Sequence, residues 1–254
     1  MPEVSELLEL AKSLSVQAGQ RLLNSLNEDK KKFVYSNDHH KEIKAFADTA
    51  LEKDILQVLI PTGLSILTEE SGYISDQPQS EYQFIVDPLD GTFNYVKGLG
   101  PCAISIALWK DQKPIFGVIF SLLEQSLYWG GKTIGAYRDD QKISVSKTTK
   151  LNEASICTGF PVRFESKNNT VVQKFWRIAQ QYSKVRMLGS AAISLTNVAK
   201  GAADAYSEQN IMIWDVAAGL AIVEGAGGSI QFESGTIEYS LDVYANNGHL
   251  EELN

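Results

Sequence analysis

The sequence predicts a layered α/β protein, with two β-sheets sandwiched among helical layers, and three features point to it. The first sixty residues carry two helical apolar stripes, the stretch from Leu64 to Tyr137 is a series of short apolar runs, and beyond about residue 150 helical and strand patterns alternate. With 254 residues, 44% hydrophobic and 21% charged, the chain can bury a sizeable core and is neither disordered nor fibrous. It reads as one domain over residues 1–254, made of two intimate halves, 1–150 and 151–254.

Val4, Leu7, Leu8, Ala11, Leu14 and Ala18 share one face at helical spacing. A second stripe runs through Ile43, Phe46, Ala47 and Ala50 towards Val58 and Leu59, after a polar loop from Asn27 to Lys41. Strands are predicted at Leu64–Leu67, Tyr82–Val86, Ala103–Trp109, Ile115–Phe120, Leu127–Trp129 and Ile134–Tyr137. Turn chemistry such as Lys110-Asp111-Gln112-Lys113-Pro114 and Gly130-Gly131-Lys132 separates the later runs, which therefore read as an antiparallel meander. In the second half, helices are predicted at Val172–Tyr182, Ala191–Lys200 and Val216–Gly225, and strands near Ala154–Thr158, Ala203–Tyr206, Ser229–Phe232 and Val243–Ala245.

Twenty-three basic against thirty-one acidic residues give a net charge of −8, which repels nucleic-acid backbones, and Lys30-Lys31-Lys32 is too short a basic run to offset it. Cys102 and Cys157 lie in apolar strand-like runs without metal-ligand spacing, and read as buried free thiols in a reducing compartment. The acidic start, Met-Pro-Glu-Val-Ser-Glu, differs from the basic start of a signal peptide, and no apolar run spans a bilayer; the expectation is a cytoplasmic protein.

The most informative stretch is Phe84-Ile85-Val86-Asp87-Pro88-Leu89-Asp90-Gly91-Thr92. An apolar strand delivers Asp87, Pro88 is expected to end the ladder, and Asp90 follows on a tight turn, so two carboxylates converge with the Leu89 carbonyl between them. Hard cations such as Mg²⁺ take oxygen ligands of this mixed kind. Gly91 carries no side chain, so the backbone amides of Gly91 and Thr92 can approach an anion. Two further acidic features end apolar runs, Glu69-Glu70 after Leu64–Thr68 and Asp215 after Ile211–Trp214; each also suits a plainer role, a solvated loop or a helix N-cap.

Together these elements resemble the inositol monophosphatase superfamily, the Mg²⁺-dependent, Li⁺-sensitive phosphatases that include bisphosphate nucleotidases and a class of fructose-1,6-bisphosphatases. Asp87-Pro88-Leu89-Asp90-Gly91-Thr92-Phe93-Asn94-Tyr95 is similar to the first signature of that family, and Trp214-Asp215-Val216-Ala217-Ala218-Gly219 running to Gly228 is similar to the second. The resemblance implies a five-layer α-β-α-β-α sandwich with an antiparallel meander sheet and a second, smaller mixed sheet. It implies that Glu69, Asp87, the Leu89 carbonyl, Asp90 and Asp215 hold two or three Mg²⁺ ions. It also implies that Thr92, hydrogen-bonded to Asp48 from the second helix, orients the attacking water, so that no covalent phosphoenzyme forms. A homodimer acting on a small-molecule phosphate ester is the implied working form.

Ahead of Asp48 the family shows Asp-x-Val-Thr, whereas this chain has Ala45 in place of the threonine. His39 and His40, in the polar loop, stand where they could reach a phosphate, although such a pair is commonly just solvated. Gly189-Ser190-Ala191 is similar to the family segment that opens a helix and contacts the hydroxyls of the substrate, and Glu208, seven residues before Asp215, is placed like the carboxylate that accepts an inositol hydroxyl. Asn94-Tyr95 resembles the inositol branch more than the nucleotidase branch. An inositol monophosphate is the expected substrate, with a 3′(2′),5′-bisphosphate nucleotide or fructose-1,6-bisphosphate as alternatives, and a non-catalytic regulatory protein on the same fold as the competing class.

Overall fold

The computed structural model describes residues 3–25, 33–35, 43–74, 81–160 and 169–251. Helix α1 (Val4–Ser25) buries the predicted face, Leu7, Leu8, Ala11, Leu14 and Ala18. Short strands β1 (Phe33–Tyr35) and β2 (Ile43–Ala45) pair antiparallel, so Ile43 belongs to a strand and not to the helix predicted to hold it. Helix α2 (Phe46–Leu59) buries Ala47, Asp48, Leu51, Glu52, Ile55 and Leu59. Of the predicted stripe Ala47 and Leu59 are buried, but Phe46, Ala50 and Val58 face outward, because the inward face also carries two carboxylates that an apolar count passes over.

The first sheet contains β3 (Ser65–Thr68), β4 (Gly72–Ile74), β5 (Tyr82–Asp90), β6 (Ala103–Lys110), β7 (Lys113–Ser121), β8 (Ser126–Gly131), β9 (Gly135–Arg138) and β10 (Gln141–Lys142). Its order is β10-β9-β8-β7-β6-β5-β3-β4. The meander from β5 to β10 is antiparallel as predicted, but β3 joins β5 in parallel, which makes the whole sheet mixed. Alternate residues of β6 serve different cores: Ile104, Ile106 and Leu108 face α1 and α2, while Ala103, Ala107 and Trp109 face the interior of the molecule. Burial on both faces explains why these strands read as unbroken apolar runs.

The second sheet, ordered β12-β11-β13-β15-β14, is built from β11 (Ser155–Thr158), β12 (Lys184–Arg186), β13 (Ala205–Met212), β14 (Ser229–Ser234) and β15 (Ser240–Asn246). It is mixed, with β11 parallel to β12 and β13 and the remaining pairs antiparallel. Helices α5 (Ala191–Ala199) and α6 (Ile213–Gly225) fill the space between the sheets, and α4 (Asn169–Gln181) covers the outer face of the second sheet. The result is the five-layer α-β-α-β-α order. Helix α6 is buried nearly all round, as a helix between two sheets must be, and the Val216-Ala217-Ala218-Gly219 run keeps it slim enough to fit. No described helix is long and apolar enough to cross a membrane. Both cysteines are buried free thiols.

Candidate active site

Strand β5 does not stop at Pro88. It continues to Asp90 through a one-residue bulge, Asp87 lying opposite Ser105 and Asp90 opposite Ala103. Proline donates no ladder hydrogen bond, and a bulge is where a sheet tolerates that loss; the extra residue also re-aims the side chains around it. The Asp87 carboxylate accepts from the Leu89 amide at 2.9 Å, closing a tight local turn.

Gly91 follows with φ 85°, a left-handed conformation, and a Cβ there would lie 3.0 Å from the Pro101 carbonyl and 3.1 Å from that of Gly189. Only glycine fits both demands. The chain then enters α3 (Thr92–Lys97), a short helix that the sequence reading did not include. Thr92 Oγ1 lies 3.0 Å from the Leu89 carbonyl and 3.4 Å from Asp48 Oδ1. The expected Thr92–Asp48 contact therefore exists, but it is long, and the single hydroxyl proton has a nearer acceptor in Leu89.

Asp215 sits in the first turn of α6, whose N-cap is Met212 without a side-chain cap, so the capping role does not apply to Asp215. One carboxylate oxygen from each of Asp87, Asp90 and Asp215 falls within 4.8 Å of the other two. Asp87 is wholly buried and its Oδ2 has no hydrogen-bond partner among the described residues. Burial, followed by the charges of Glu69, Asp215 and Asp90, holds its carboxyl well above the usual carboxylate range. Asp215 is raised by the same causes, burial first and then Glu69 and Asp90. Glu69 lies on the turn after β3, outside the tight group but close enough for its charge to act on both.

Three carboxylates without an ion pair among the described residues, one of them with an orphaned buried oxygen, form an all-oxygen donor set of net negative charge. This suits a hard divalent cation, which would remove the penalty of ionising like groups together.

Residues that the sequence reading placed elsewhere support this group. The Ser190 hydroxyl donates a short hydrogen bond to Asp90, and the amides of Ala191 and Ala192 donate to it at 3.2 and 3.0 Å. Asp90 thus sits at the start of α5, and burial raises it to about 6 against the opposing pull of these donors. The segment expected to touch substrate is therefore first a clamp on Asp90, while Gly189, Ser190 and Ala191 also line the adjoining cavity.

The Asn94 side-chain amide donates to the carbonyls of Pro101 and Leu188 at 2.8 and 2.7 Å, with that of Gly189 at 3.3 Å, and so ties α3 to the loop before α5. Glu52 accepts from Thr68 Oγ1 at 2.9 Å and from the Ser71 amide and hydroxyl at 3.0 and 2.8 Å, fixing the turn that bears Glu69. The Asp48/Glu52 spacing on a helix that otherwise buries apolar groups was the available signal for Glu52.

Beside the carboxylates opens a cavity of about 300 Å³, lined by Asp90, Asp215, Tyr206 and Glu208 on its polar side and by Phe160, Met187 and Ile211 on its apolar side. Glu208 accepts from the Tyr206 hydroxyl at 2.9 Å, and burial raises its carboxyl to about 7. It is half-buried in β13 and is not an exposed loop glutamate. His39 and His40 lie outside the described residues, and of Ala45 only the backbone, in β2, is described. Cys157 and Arg163 have the Cys-x5-Arg spacing of cysteine phosphatases. Burial pushes the Cys157 thiol up to about 11, so it is not the thiolate such chemistry needs.

A model of the inositol monophosphatase family matches residues 3–252. The chain belongs to that family. The fructose-1,6-bisphosphatase/inositol-1-monophosphatase of Aquifex aeolicus is 32% identical over 90% of this chain and 86% of its own length. The Nus factor SuhB of Xylella fastidiosa is 33% identical over 90% and 81%. Among solved structures, an inositol monophosphatase from Anabaena superposes with a TM-score of 0.80 at 31% identity, covering 97% of this chain and 92% of that one. The extragenic suppressor protein SuhB of Bartonella henselae gives 0.84 at 30%, covering 96% and 95%. The family is one of metal-dependent phosphatases, and the acidic group described above is consistent with that chemistry.

Proposed function

We propose that this chain is a Mg²⁺-dependent phosphomonoesterase that hydrolyses a small phosphorylated polyol, foremost an inositol monophosphate. The observation that carries this reading is the convergence of Asp87, Asp90 and Asp215 within 4.8 Å beside a cavity that Glu208 lines. Asp87, Asp90 and Asp215, with Glu69 and the Leu89 carbonyl, would hold two or three Mg²⁺ ions. Bound there, the ions lower the pKa of water and neutralise phosphoryl oxygens.

The chain's own groups complete the reaction. Turning the Thr92 hydroxyl proton from the Leu89 carbonyl to Asp48 leaves Oγ1 ready to accept from the attacking water and to aim it. The amides of Gly91 and Thr92 face the phosphate. Gly189, Ser190 and Ala191 form the wall along the ring, and Glu208 accepts a hydroxyl remote from the phosphorus.

The name of the Aquifex relative favours fructose-1,6-bisphosphate as a second substrate, and the relatives named Nus factor support a regulatory binding role as the competing class. A homodimer in the cytoplasm, without nucleic-acid or membrane partners, is the working form we propose. Phosphate release from an inositol monophosphate, 3′-phosphoadenosine 5′-phosphate and fructose-1,6-bisphosphate, each with and without Mg²⁺, is the test. Mg²⁺-dependent release that is fastest on the inositol ester is expected. No release from any ester would leave the regulatory class.

A further inference from the structure

Glu208 is held by two neighbours that no catalytic role has claimed. Tyr206 stands two residues before it on β13, so both side chains leave the same face of the strand. The Tyr206 backbone is paired on both sides, with Cys157 of β11 and Ala245 of β15, and its ring is buried in the central core at 1% exposure. Its hydroxyl, which donates to Glu208 Oε2 at 2.9 Å, is thus fixed in space by a rigid ring in a rigid sheet.

Gly159 follows β11 directly, and the parallel register that pairs Thr158 with Ser207 sets it against Glu208. Its backbone amide lies close enough to the same carboxylate to favour the charged form. A Cβ on Gly159 would lie 2.3 Å from both Glu208 carboxylate oxygens. Immediately after Glu208, β13 bulges, with Glu208 opposite Val243 and Ile211 opposite Leu241.

We propose that Tyr206 and Gly159 are positioning residues for Glu208, fixing its carboxylate in one orientation at the cavity so that it meets a substrate hydroxyl already placed. This rests on the reading above, in which Glu208 accepts that hydroxyl. A carboxylate offers about four acceptor sites, so the Tyr206 hydroxyl leaves room for the substrate. Fixing a long side chain beforehand removes the cost of ordering it on binding.

The test compares kcat and KM on an inositol monophosphate and on p-nitrophenyl phosphate, which has no such hydroxyls, for Tyr206→Phe, Gly159→Ala, Glu208→Gln and the double variant Tyr206→Phe/Glu208→Gln. Tyr206→Phe keeps the ring, and Gly159→Ala displaces only the end of a flexible side chain, so thermal midpoints near that of the parent are expected for both. Tyr206→Phe and Gly159→Ala should each raise KM for the inositol ester by roughly three- to tenfold relative to the aryl ester. The double variant should be no worse than Glu208→Gln alone, since Tyr206 acts through Glu208. Equal losses on both esters, or additive losses in the double variant, would overturn the proposal while sparing the role of Glu208. An unchanged substrate ratio in Glu208→Gln would overturn that role, and the proposal with it.

Discussion

Replacing Asp90 by asparagine deletes one charge from the carboxylate group at nearly constant shape. Burial raises the Asp90 carboxyl from 3.8 to about 6, and the donors at the start of α5 already counter part of that rise. The remaining difference corresponds to about 3 kcal/mol of penalty on the ionised form in the folded, metal-free protein. Asparagine escapes the penalty but presents an NH₂ group where Asp90 Oδ2 accepted from Ser190 and Ala192, a loss of about 1–1.5 kcal/mol.

The metal-free variant should therefore gain on the order of 1–2 kcal/mol at pH 7, a rise in midpoint of a few degrees for a chain of this size. The sign depends on pH. Below about pH 4 the carboxyl is protonated in folded and unfolded chains alike and costs nothing, whereas above about pH 6 it is ionised in both and the folded state bears the full penalty. The advantage of the variant should grow as pH rises from 4, and it should keep growing as Asp87 and Asp215, which the Asp90 charge also raises, ionise in turn.

Thermal unfolding in chelator across pH 4–8, paired with phosphatase assays in Mg²⁺, measures both halves. The parent should gain stability on adding Mg²⁺, and the variant should gain little and lose most turnover. A variant that keeps near-normal turnover, or whose stability advantage does not change with pH, would refute the reasoning.

Thr92→Val should lower kcat by about a hundredfold with little change in KM, because help to the attacking water acts in the transition state; steady-state kinetics on one good substrate decides it. Gly91→Ala meets a positive φ and two carbonyl oxygens, and should cost about 1–3 kcal/mol by denaturant unfolding. Asn94→Ala cuts the tie between α3 and the loop before α5, so turnover should fall more than stability does, read from activity and midpoint on the same preparation. Ca²⁺ added over Mg²⁺ should inhibit, since the larger ion accepts looser geometry; activity that rises with Ca²⁺ would argue against the assigned ligand set.

Most element positions were legible because their signals are local. The face of α1 shows in its 3.6-residue spacing, and the meander strands show in apolar runs broken by turn residues. The full buried face of α2 was not legible: Asp48 and Glu52 count as solvent-facing in any apolar tally, yet Asp48 faces Thr92 and Glu52 holds the turn of Glu69. The parallel insertion of β3 beside β5 also left no local trace, because strand partners are chosen by packing across the sheet and not by neighbours along the chain. The continuation of β5 past Pro88 was hidden for a related reason, since a bulge needs a partner strand to be defined at all.

The sequence by itself determined the chemical inventory of the site: acidic groups at the ends of apolar strands, a glycine where the backbone turns, and two signatures in family order. Those features follow from residue type and short spacing, which chain geometry fixes within a few bonds. Only the tertiary structure decided how the inventory is shared out. It brought Asp215 within reach of Asp87 and Asp90, left Glu69 acting through its charge from the next turn, and committed Ser190 and Ala191 to Asp90. It also set Gly159 and Tyr206 around Glu208. These contacts join residues up to a hundred or more positions apart, and their geometry is set by how two sheets pack on the helices between them, a balance that no short window of sequence contains.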